Sequence, residues 1–315
     1  MQNIIKNLKQ EISKVVIGQE QMIDSLLIGL FTNGHILLEG VPGLAKTTTV
    51  KAMASSLGLN FKRVQFTPDL LPSDIVGAQI YDMKTGDFKI KKGPIFTNLL
   101  LADEINRAPA KVQSALLEVM QEYQVTIADE SFKIDEPFLV LATQNPIEQE
   151  GAYRLPEAQL DRFMFKVVVD YNTKEDELEI ARKAAAQTFE TISSVITKDE
   201  INTISEDIKK VHIDKEVEKY IVSIVHASRE PQNYGLDDIK DYIFFGASPR
   251  ATIDMFKASK AYAYLKGKSY VTPVDIAMIA KDILRHRIIL SYEAQANSIT
   301  TDFIISKILE KVDIP

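Results

Sequence analysis

Residues 36–47 read ILLEGVPGLAKT, an apolar run followed by a glycine-rich turn that ends in Lys-Thr. A short continuous apolar run is typical of a strand buried on both faces, and residues 48–57 are predicted to form a helix. In the order strand, loop, helix, the loop N–H groups and the positive end of the helix dipole converge on one anion. Lys46 can then reach the outer phosphates of a nucleotide, and the Thr47 hydroxyl can bind a magnesium ion. The candidate phosphate-binding residues are Gly40, Val41, Pro42, Gly43, Leu44, Ala45, Lys46, Thr47 and Thr48.

One residue of this loop departs from the phosphate-binding pattern G-x-x-x-x-G-K-[ST]. Ala45 stands where the second glycine is expected. Because Ala45 lies at the start of the predicted helix, where a negative φ suits alanine, we expect crowding near the phosphate and no backbone strain. A solvent-exposed turn with no ligand is the alternative interpretation of the loop.

A second apolar run, residues 98–102, ends in the adjacent carboxylates Asp103 and Glu104. In nucleotide hydrolases the first acid at the end of a neighbouring strand holds magnesium through water. The next acid positions or deprotonates the attacking water. Asp103 is therefore the candidate magnesium-binding carboxylate and Glu104 the candidate general base. The alternative is that these acids cap the next helix.

A third apolar run, residues 137–143, is followed by Gln144, Asn145 and Pro146. A neutral amide can both donate and accept a hydrogen bond. Asn145 is therefore a candidate to orient the lytic water beside Glu104 or to donate to the γ-phosphate. An Asn-Pro turn without a catalytic role is the alternative.

Five segments, at 37–47, 103–108, 142–146, 155–163 and 246–251, read LLEGVPGLAKT, DEINRA, ATQNP, LPEAQLDRF and GASPRA. In these segments the chain resembles the MoxR-type AAA+ ATPases. The resemblance implies an α/β P-loop AAA+ core, with a parallel sheet flanked by helices, plus a smaller C-terminal all-α lid domain. It also implies hydrolysis of ATP with Mg2+ as cofactor. In that family the alanine before the P-loop lysine is usual.

The resemblance assigns Arg162 as an arginine finger, which would reach the nucleotide of a neighbouring subunit. A guanidinium keeps its charge and presents a planar fork to phosphate oxygens. A finger of this kind speeds phosphoryl transfer by roughly 10³-fold or more. A surface pair between Asp161 and Arg162, contributing almost nothing, is the alternative.

Arg250 resembles the second sensor arginine of the family. Ser248 is a good N-cap and Pro249 suits the first helical position, so Arg250 is predicted in the first turn of a lid helix. A cation at the positive end of a helix costs energy unless an anion lies nearby. The sequence therefore favours a phosphate partner for Arg250.

Other candidate residues depend mainly on the resemblance. Gly18 and Gln19 precede an amphipathic run, and in the family this segment flanks the adenine. A strand-to-helix corner is the alternative interpretation. Arg107 and Arg154 are further basic candidates near the subunit boundary.

Strand-like runs occupy the first half of the chain, and helical periodicity takes over after about Tyr171. We therefore expect an AAA+ nucleotide-binding α/β domain at 1–170 and a helical lid domain at 171–315. Two hairpin inserts are predicted near 72–94 and 125–134. Similar inserts in this branch of AAA+ proteins face the central pore or the partner. The first insert is locally basic through Lys84, Lys89, Lys91 and Lys92.

The composition narrows the choice of function further. The 315 residues carry a formal net charge of -7, which argues against a general affinity for nucleic acid. The chain has no cysteine, which excludes disulfides and favours a cytoplasmic setting. No apolar stretch approaches the ~20 residues needed to cross a bilayer. The four histidines lack metal-ligand spacing, and His35 is predicted to be structural.

Together these features predict a Mg2+-dependent ATPase that works as a homo-oligomeric ring, with a hexamer favoured. The resemblance implies a chaperone-like role in remodelling, maturing or activating a partner protein, such as one with a von Willebrand factor A domain. Two alternatives stay open. One is a nucleic-acid-stimulated AAA+ motor, and the other is a scaffold that binds nucleotide and hydrolyses it slowly.

Overall fold

The computed structural model describes residues 2–146, residue 153 and residues 155–315. In chain order the strands are β1 Ile36–Glu39, β2 Phe61–Gln65, β3 Gly77–Asp82, β4 Asp87–Lys92, β5 Leu99–Asp103, β6 Gln124–Ile127, β7 Glu130–Lys133, β8 Leu139–Gln144, β9 Phe165–Val168, β10 Ile243–Phe245 and β11 Ile289–Leu290. The α-helices are α1 Gln2–Ser13, α2 Glu20–Thr32, α3 Lys46–Leu57, α4 Pro72–Val76, α5 Ala110–Glu122, α6 Glu157–Leu160, α7 Lys174–Ala186, α8 Lys198–Lys209, α9 Lys215–Ala227, α10 Pro249–Leu265, α11 Pro273–Leu284, α12 Tyr292–Ala296 and α13 Thr301–Lys311. Short 3₁₀ turns lie at Ile105–Arg107, Pro231–Tyr234 and Lys240–Tyr242.

A parallel sheet of five strands forms the centre of the fold, in the order β2-β5-β8-β1-β9. The strands β1, β5 and β8 are continuous apolar runs because helices cover both faces of the sheet. The predicted fold class is confirmed. Since the carboxyl ends of parallel strands meet at one edge, the residues that follow β1, β5 and β8 come together there.

Alternate residues of the buried strands face two separate apolar layers. Leu38 and Leu101 pack with α1, α2 and α3 in a layer that continues into the helices of the lid. Leu37 and Leu100 pack on the other face, against α5. Each fully buried leucine stabilises the fold by roughly 1.5–3 kcal/mol relative to an exposed one. The first layer therefore fixes the lid against the sheet.

The segment from α7 to α13, where the lid is predicted, is mainly helical and includes a short antiparallel pairing of β10 with β11. This pairing was not predicted, because strands of three and two residues are too short to show a period-two pattern. The helix start predicted at Ser248 is present, because Ser248 accepts a hydrogen bond from a backbone N–H in the first turn of α10. Thr173 and Thr197 cap α7 and α8 in the same way.

Two antiparallel hairpins interrupt the core pattern, β3 with β4 and β6 with β7. The first hairpin follows the short helix α4, and its Tyr81 and Phe88 rings pack edge to face with centroids 5.3 Å apart. Both rings are largely exposed. Lys92 joins the two hairpins, because its ammonium lies 4.8 Å from the ring centroid of Phe96 and 5.0 Å from that of Phe132.

His35, just before β1, has the structural role predicted for it. Its Nδ1 accepts a hydrogen bond from the N–H of Val140 at 3.0 Å, so Nε2 carries the proton and donates to the carbonyl of Met120 at 2.9 Å. Burial lowers the pKa of His35 to about 4, against the opposing effect of the Met120 hydrogen bond. The imidazole therefore stays neutral and ties β8 to the end of α5.

Candidate active site

The loop between β1 and α3 holds the candidate phosphate-binding residues. Because α3 begins at Lys46, Lys46 and Thr47 occupy its first turn, where backbone N–H groups lack intrahelical partners. Gly43 has a φ of 89°, which glycine adopts without strain. A Cβ atom on Gly40 would lie 2.7 Å from the carbonyl O of Val169. The loop therefore passes too close to the chain after β9 for a side chain at position 40.

The expectation that Ala45 has a negative φ is wrong. Ala45 precedes α3 directly and adopts a φ of 54° and a ψ of 16°, in the left-handed region. The loop has to turn sharply just before the helix, and a left-handed residue makes that turn. Alanine in this conformation costs roughly 1–2 kcal/mol. The loop therefore carries backbone strain at the position where the pattern expects glycine.

A cavity of about 390 Å³ lies at the carboxyl edge of the sheet, and we call it the phosphate cavity. It is lined by Pro42, Gly43, Leu44, Ala45, Lys46, Thr47, Thr48, Arg63, Gln65, Asp103, Glu104, Thr143, Gln144 and Asn145. Gly40 and Val41 lie in the same loop, next to this lining. The structure thus places the loop, both predicted carboxylates and Asn145 around one space.

The Lys46 ammonium is held within the loop. Its Nζ donates to the carbonyl O of Gly40 at 2.6 Å. Burial lowers the pKa of Lys46, while the charges of Asp103 and Glu104 oppose the shift. A partly desolvated cation attracts an anion more strongly than one in bulk water. Since its present partner is a neutral carbonyl, Lys46 can exchange that partner for a phosphate oxygen.

Asp103, the last residue of β5, has two strong hydrogen-bond partners. Thr143 Oγ1 donates to Oδ1 of Asp103 at 2.5 Å. Arg63, on the neighbouring strand β2, donates to Oδ2 through Nη2 at 2.5 Å and through Nε at 3.0 Å. The Asp103 carboxylate is therefore fixed in direction before any ligand binds.

Glu104 follows β5 with a φ of 55°, and this sharp turn takes its side chain to other partners. Gln65 Nε2 donates to Oε2 of Glu104 at 2.6 Å. Arg107 Nη1 forms an ion pair with the same oxygen at 3.1 Å. The backbone N–H of Glu104 donates to Thr143 Oγ1 at 2.8 Å. Two adjacent carboxylates are thus oriented by separate sets of donors.

Sequence reasoning missed the roles of Arg63, Gln65 and Thr143 in this cavity. Gln65 pairs with Asp103 in the register of β2 and β5, so the end of β2 lies at the same carboxyl edge of the sheet. In the sequence, the segment 61–65 contains polar residues that could have indicated a role in binding. These residues do not indicate which strand lies beside β5.

The residues present fit a magnesium ion. The Thr47 hydroxyl and the Asp103 carboxylate line the same cavity and are hard oxygen donors. Magnesium keeps several waters and binds through one or two protein oxygens plus phosphates. Because Thr143 and Arg63 already engage both oxygens of Asp103, this carboxylate suits contact with the ion through water.

Gly18 and Gln19 do not line the phosphate cavity. Gly18 lines a different cavity of about 540 Å³. Gln19 Nε2 donates to the carbonyl O of Asp170 at 2.9 Å and to Oδ1 of Asn172 at 2.8 Å. Their position beside an adenine stays a prediction.

The candidate arginines Arg162 and Arg250 lie where the core meets the lid, and neither lines the phosphate cavity. Within the part of the chain that the structure describes, the Arg162 guanidinium makes no hydrogen bond or ion pair. The N–H of Arg250 donates to Ser248 Oγ at 3.2 Å, and its Nη1 donates to the carbonyl O of Asp161 at 3.3 Å. Arg154 lies outside the described residues.

A Lys-Thr pair at the head of a helix, facing two carboxylates at the end of a neighbouring parallel strand, places this chain in the class of P-loop nucleotide-binding proteins. Across residues 2–146, 153 and 155–315, no helix is both long and apolar enough to cross a membrane.

Comparisons with known proteins narrow this class. The sequence profile of the ATPase family associated with various cellular activities (AAA) matches residues 35–165, and that of the AAA lid domain matches residues 237–308. Chaperone MoxR1 of Mycobacterium tuberculosis is 44% identical over 97% of this chain and 81% of its own length. The uncharacterised protein YeaC of Bacillus subtilis is 42% identical over 97% and 93% of the two chains. The crystal structure of a candidate ATPase from Cytophaga hutchinsonii, 54% identical, matches with a TM-score of 0.95 over 100% of this chain and 96% of its own. The chain belongs to the MoxR family of AAA+ ATPases.

Proposed function

We propose that this MoxR-type AAA+ ATPase hydrolyses ATP with magnesium and uses the cycle to remodel, mature or activate a partner protein. One observation carries the proposal. Lys46, Thr47, Asp103 and Glu104, which come from two separate segments of the sequence, line a single cavity. A cation, a hydroxyl and two oriented carboxylates are the groups that phosphoryl transfer to water requires.

In the proposed reaction each side chain acts at a defined place. Lys46 Nζ leaves the Gly40 carbonyl for an outer phosphate oxygen. Glu104 accepts the proton of the attacking water, and Asn145 orients that water through its amide. When bound, Mg2+ neutralises charge that develops on the phosphates, and Thr47 and Asp103 would hold it there.

We further propose that Arg162 completes the site of the next subunit in a homo-oligomeric ring, with a hexamer favoured. Two facts support the proposal that Arg162 acts at the site of a neighbouring subunit. The Arg162 guanidinium pairs with none of the residues described in its own chain, and it does not line its own phosphate cavity. Arg250 would sense the nucleotide from the lid of the same subunit, and Gly18 and Gln19 would flank its adenine.

The proposed client is a protein. This proposal is supported by the Mycobacterium tuberculosis relative, which is named as a chaperone. A client with a von Willebrand factor A domain follows from the family resemblance. A cytoplasmic setting follows from the cysteine-free composition.

The decisive test is ATP turnover by Glu104→Gln, with Glu39→Gln as the matched control. Glu39 ends β1 but pairs with Lys166 at 2.8 Å and does not line the cavity. We expect Glu104→Gln to lower kcat by about 10³-fold while retaining ATP binding, because a general base is lost. Glu39→Gln should turn over ATP like the wild type, and EDTA should stop the reaction.

The same assay, repeated across protein concentrations, tests the ring. Specific activity that rises and then levels supports a site completed between subunits. Unchanged turnover in Glu104→Gln would contradict the assignment of the base. Stimulation by DNA or RNA would favour a nucleic-acid motor, and ATP binding without turnover would favour a scaffold.

A further inference from the structure

A buried arginine of the lid donates hydrogen bonds to the loop that carries Arg162. Arg287 lies just after α11, and its side chain is only 1% exposed. Its Nε donates to Oδ1 of Asp161 at 2.8 Å, and its Nη2 forms an ion pair with Oδ2 of Asp254 at 2.5 Å. We call Asp161, Arg162, Phe163, Asp254 and Arg287 the finger junction.

The same guanidinium holds the backbone on both sides of Arg162. Arg287 Nη2 donates to the carbonyl O of Asp161 at 3.2 Å and to that of Phe163 at 2.8 Å. The His286 imidazole also bonds the Phe163 carbonyl, through Nε2 at 2.9 Å. The Phe163 side chain is fully buried. The carbonyl groups of the residues before and after Arg162 are therefore fixed, whereas the Arg162 side chain itself is unpaired among the described residues.

Only an arginine can make this set of contacts. Its planar fork carries donors on separate nitrogens, so that Nε reaches the Asp161 carboxylate while Nη2 reaches the two carbonyls and Asp254. A lysine offers a single nitrogen and cannot keep both sets of contacts. A buried cation is costly unless it is paired and fully hydrogen-bonded. The burial of Arg287 among backbone carbonyls thus makes the geometry of residues 161–163 rigid.

We propose that Arg287 is a positioning residue that sets the direction of Arg162 and thereby the activity of the neighbouring subunit's site. This inference rests on the proposed function, because it takes Arg162 to act on the nucleotide of the next subunit. A catalytic group displaced by about 1 Å can cost roughly 10²-fold in rate. The hydrogen bonds from Arg287 to the carbonyls of Asp161 and Phe163 restrict that displacement.

Asp161 links these contacts to the lid helix that carries Arg250. Ser248 Oγ, at the start of α10, lies 3.0 Å from Oδ2 of Asp161, and Arg250 Nη1 donates to the Asp161 carbonyl at 3.3 Å. The candidate sensor of one subunit and the candidate finger for the next therefore share a single residue.

The test compares Arg287→Lys with Arg285→Lys. Arg285 is a good control because it is also buried in the lid, at 11% exposure, and pairs with Asp282 and Asp302 at 2.7 Å. Its contact in the core is the carbonyl of Lys166, not residues 161–163. Thermal unfolding and ATP binding are measured first for both variants. We expect Arg287→Lys to lower kcat by about 10²-fold and Arg285→Lys to leave kcat close to that of the wild type.

Mixed assemblies then separate positioning from damage to the lid. A Glu104→Gln subunit cannot hydrolyse ATP but has an intact Arg162, so it should restore turnover to the site of an adjacent Arg287→Lys subunit. Two-tag purification isolates such mixtures, and Arg162→Ala mixed with Glu104→Gln is the positive control. Turnover in the Arg287→Lys mixture above the sum of the parent assemblies supports the inference.

Two results would overturn the inference without contradicting the supply of Arg162 from a neighbour. One is restored turnover in the Arg162→Ala mixture with none in the Arg287→Lys mixture, which would make Arg287 a structural residue of its own subunit. The other is full activity of Arg287→Lys alone. If the Arg162→Ala mixture also fails, then the proposed supply of Arg162 from a neighbour is wrong, and the inference fails with it.

Discussion

The phosphate cavity and the finger junction both gather charges, but they differ in burial and in the partners of those charges. In the phosphate cavity, Lys46 is bound to a neutral carbonyl, and the Arg63 side chain that pairs with Asp103 is 50% exposed. In the finger junction, Arg287 is 1% exposed and donates only to carbonyls and carboxylates of its own chain. The cations of the phosphate cavity are thus accessible to a ligand, whereas the central cation of the finger junction is closed off from solvent.

We expect the phosphate cavity and the finger junction to differ most in the free energy of unfolding that is lost when an arginine of each is replaced by methionine. Arg287→Met leaves Asp254 in the interior without its cation, so we expect the free energy of unfolding to fall by about 3–5 kcal/mol. Arg63→Met breaks an exposed pair and should cost less than about 1 kcal/mol. Urea unfolding of the two variants measures the difference. Equal losses would show that burial does not separate the two regions.

The affinity for ATP should depend on one lysine of α3 and not on another. Lys46→Ala removes the ammonium that would contact the phosphates, so we expect the Kd for ATP to rise by about 10²-fold, the effect of losing a charge-assisted hydrogen bond. Lys51→Ala changes an exposed lysine one turn further along α3 and should leave the Kd unchanged. Titration with a fluorescent ATP analogue measures both values. An unaltered Kd in Lys46→Ala would mean that this cavity is not where ATP binds.

The smallest effect concerns the strained alanine of the loop. Ala45→Gly relieves a positive φ, and we expect it to raise the free energy of unfolding by about 1 kcal/mol. Ala181→Gly, at an exposed position within α7, should lower it by roughly 0.5–1 kcal/mol. Thermal and urea unfolding show whether the free energy of unfolding rises or falls in each variant. A loss of stability in Ala45→Gly would indicate that the loop relaxes to a different conformation in solution.

The local motifs of the phosphate cavity could be predicted because their spacing is short. Lys46 and Thr47 lie next to a strand in sequence, and Asp103 and Glu104 end another one. Arg63 could not be assigned in the same way, because its role depends on β2 lying beside β5, which the order of strands along the chain does not determine. The sign of φ at Ala45 was predicted wrongly, since the turn before α3 overrides the preference of alanine.

The contacts of the finger junction could not be predicted from the sequence for a different reason. Arg287 and the carboxylate of Asp161 are separated by 126 residues, and no periodic pattern connects them. The predicted N-cap Ser248 and the helical position of Arg250 are confirmed, because capping depends on neighbouring residues. What the sequence could not show is that this helix start meets Asp161.

The hairpin of β3 and β4 has a consequence for self-association. Its two strands form a sheet of their own, so it presents strand edges beside the exposed Tyr81 and Phe88. Free edges next to apolar side chains are templates for pairing with other chains, and lysines on such strands are a common protection against it. Lys89 and Lys91 stand on β4 itself. Because Lys89 pairs with Asp82 at 2.6 Å, the exposed Lys91 carries the charge that would oppose edge-to-edge pairing of two copies of the hairpin.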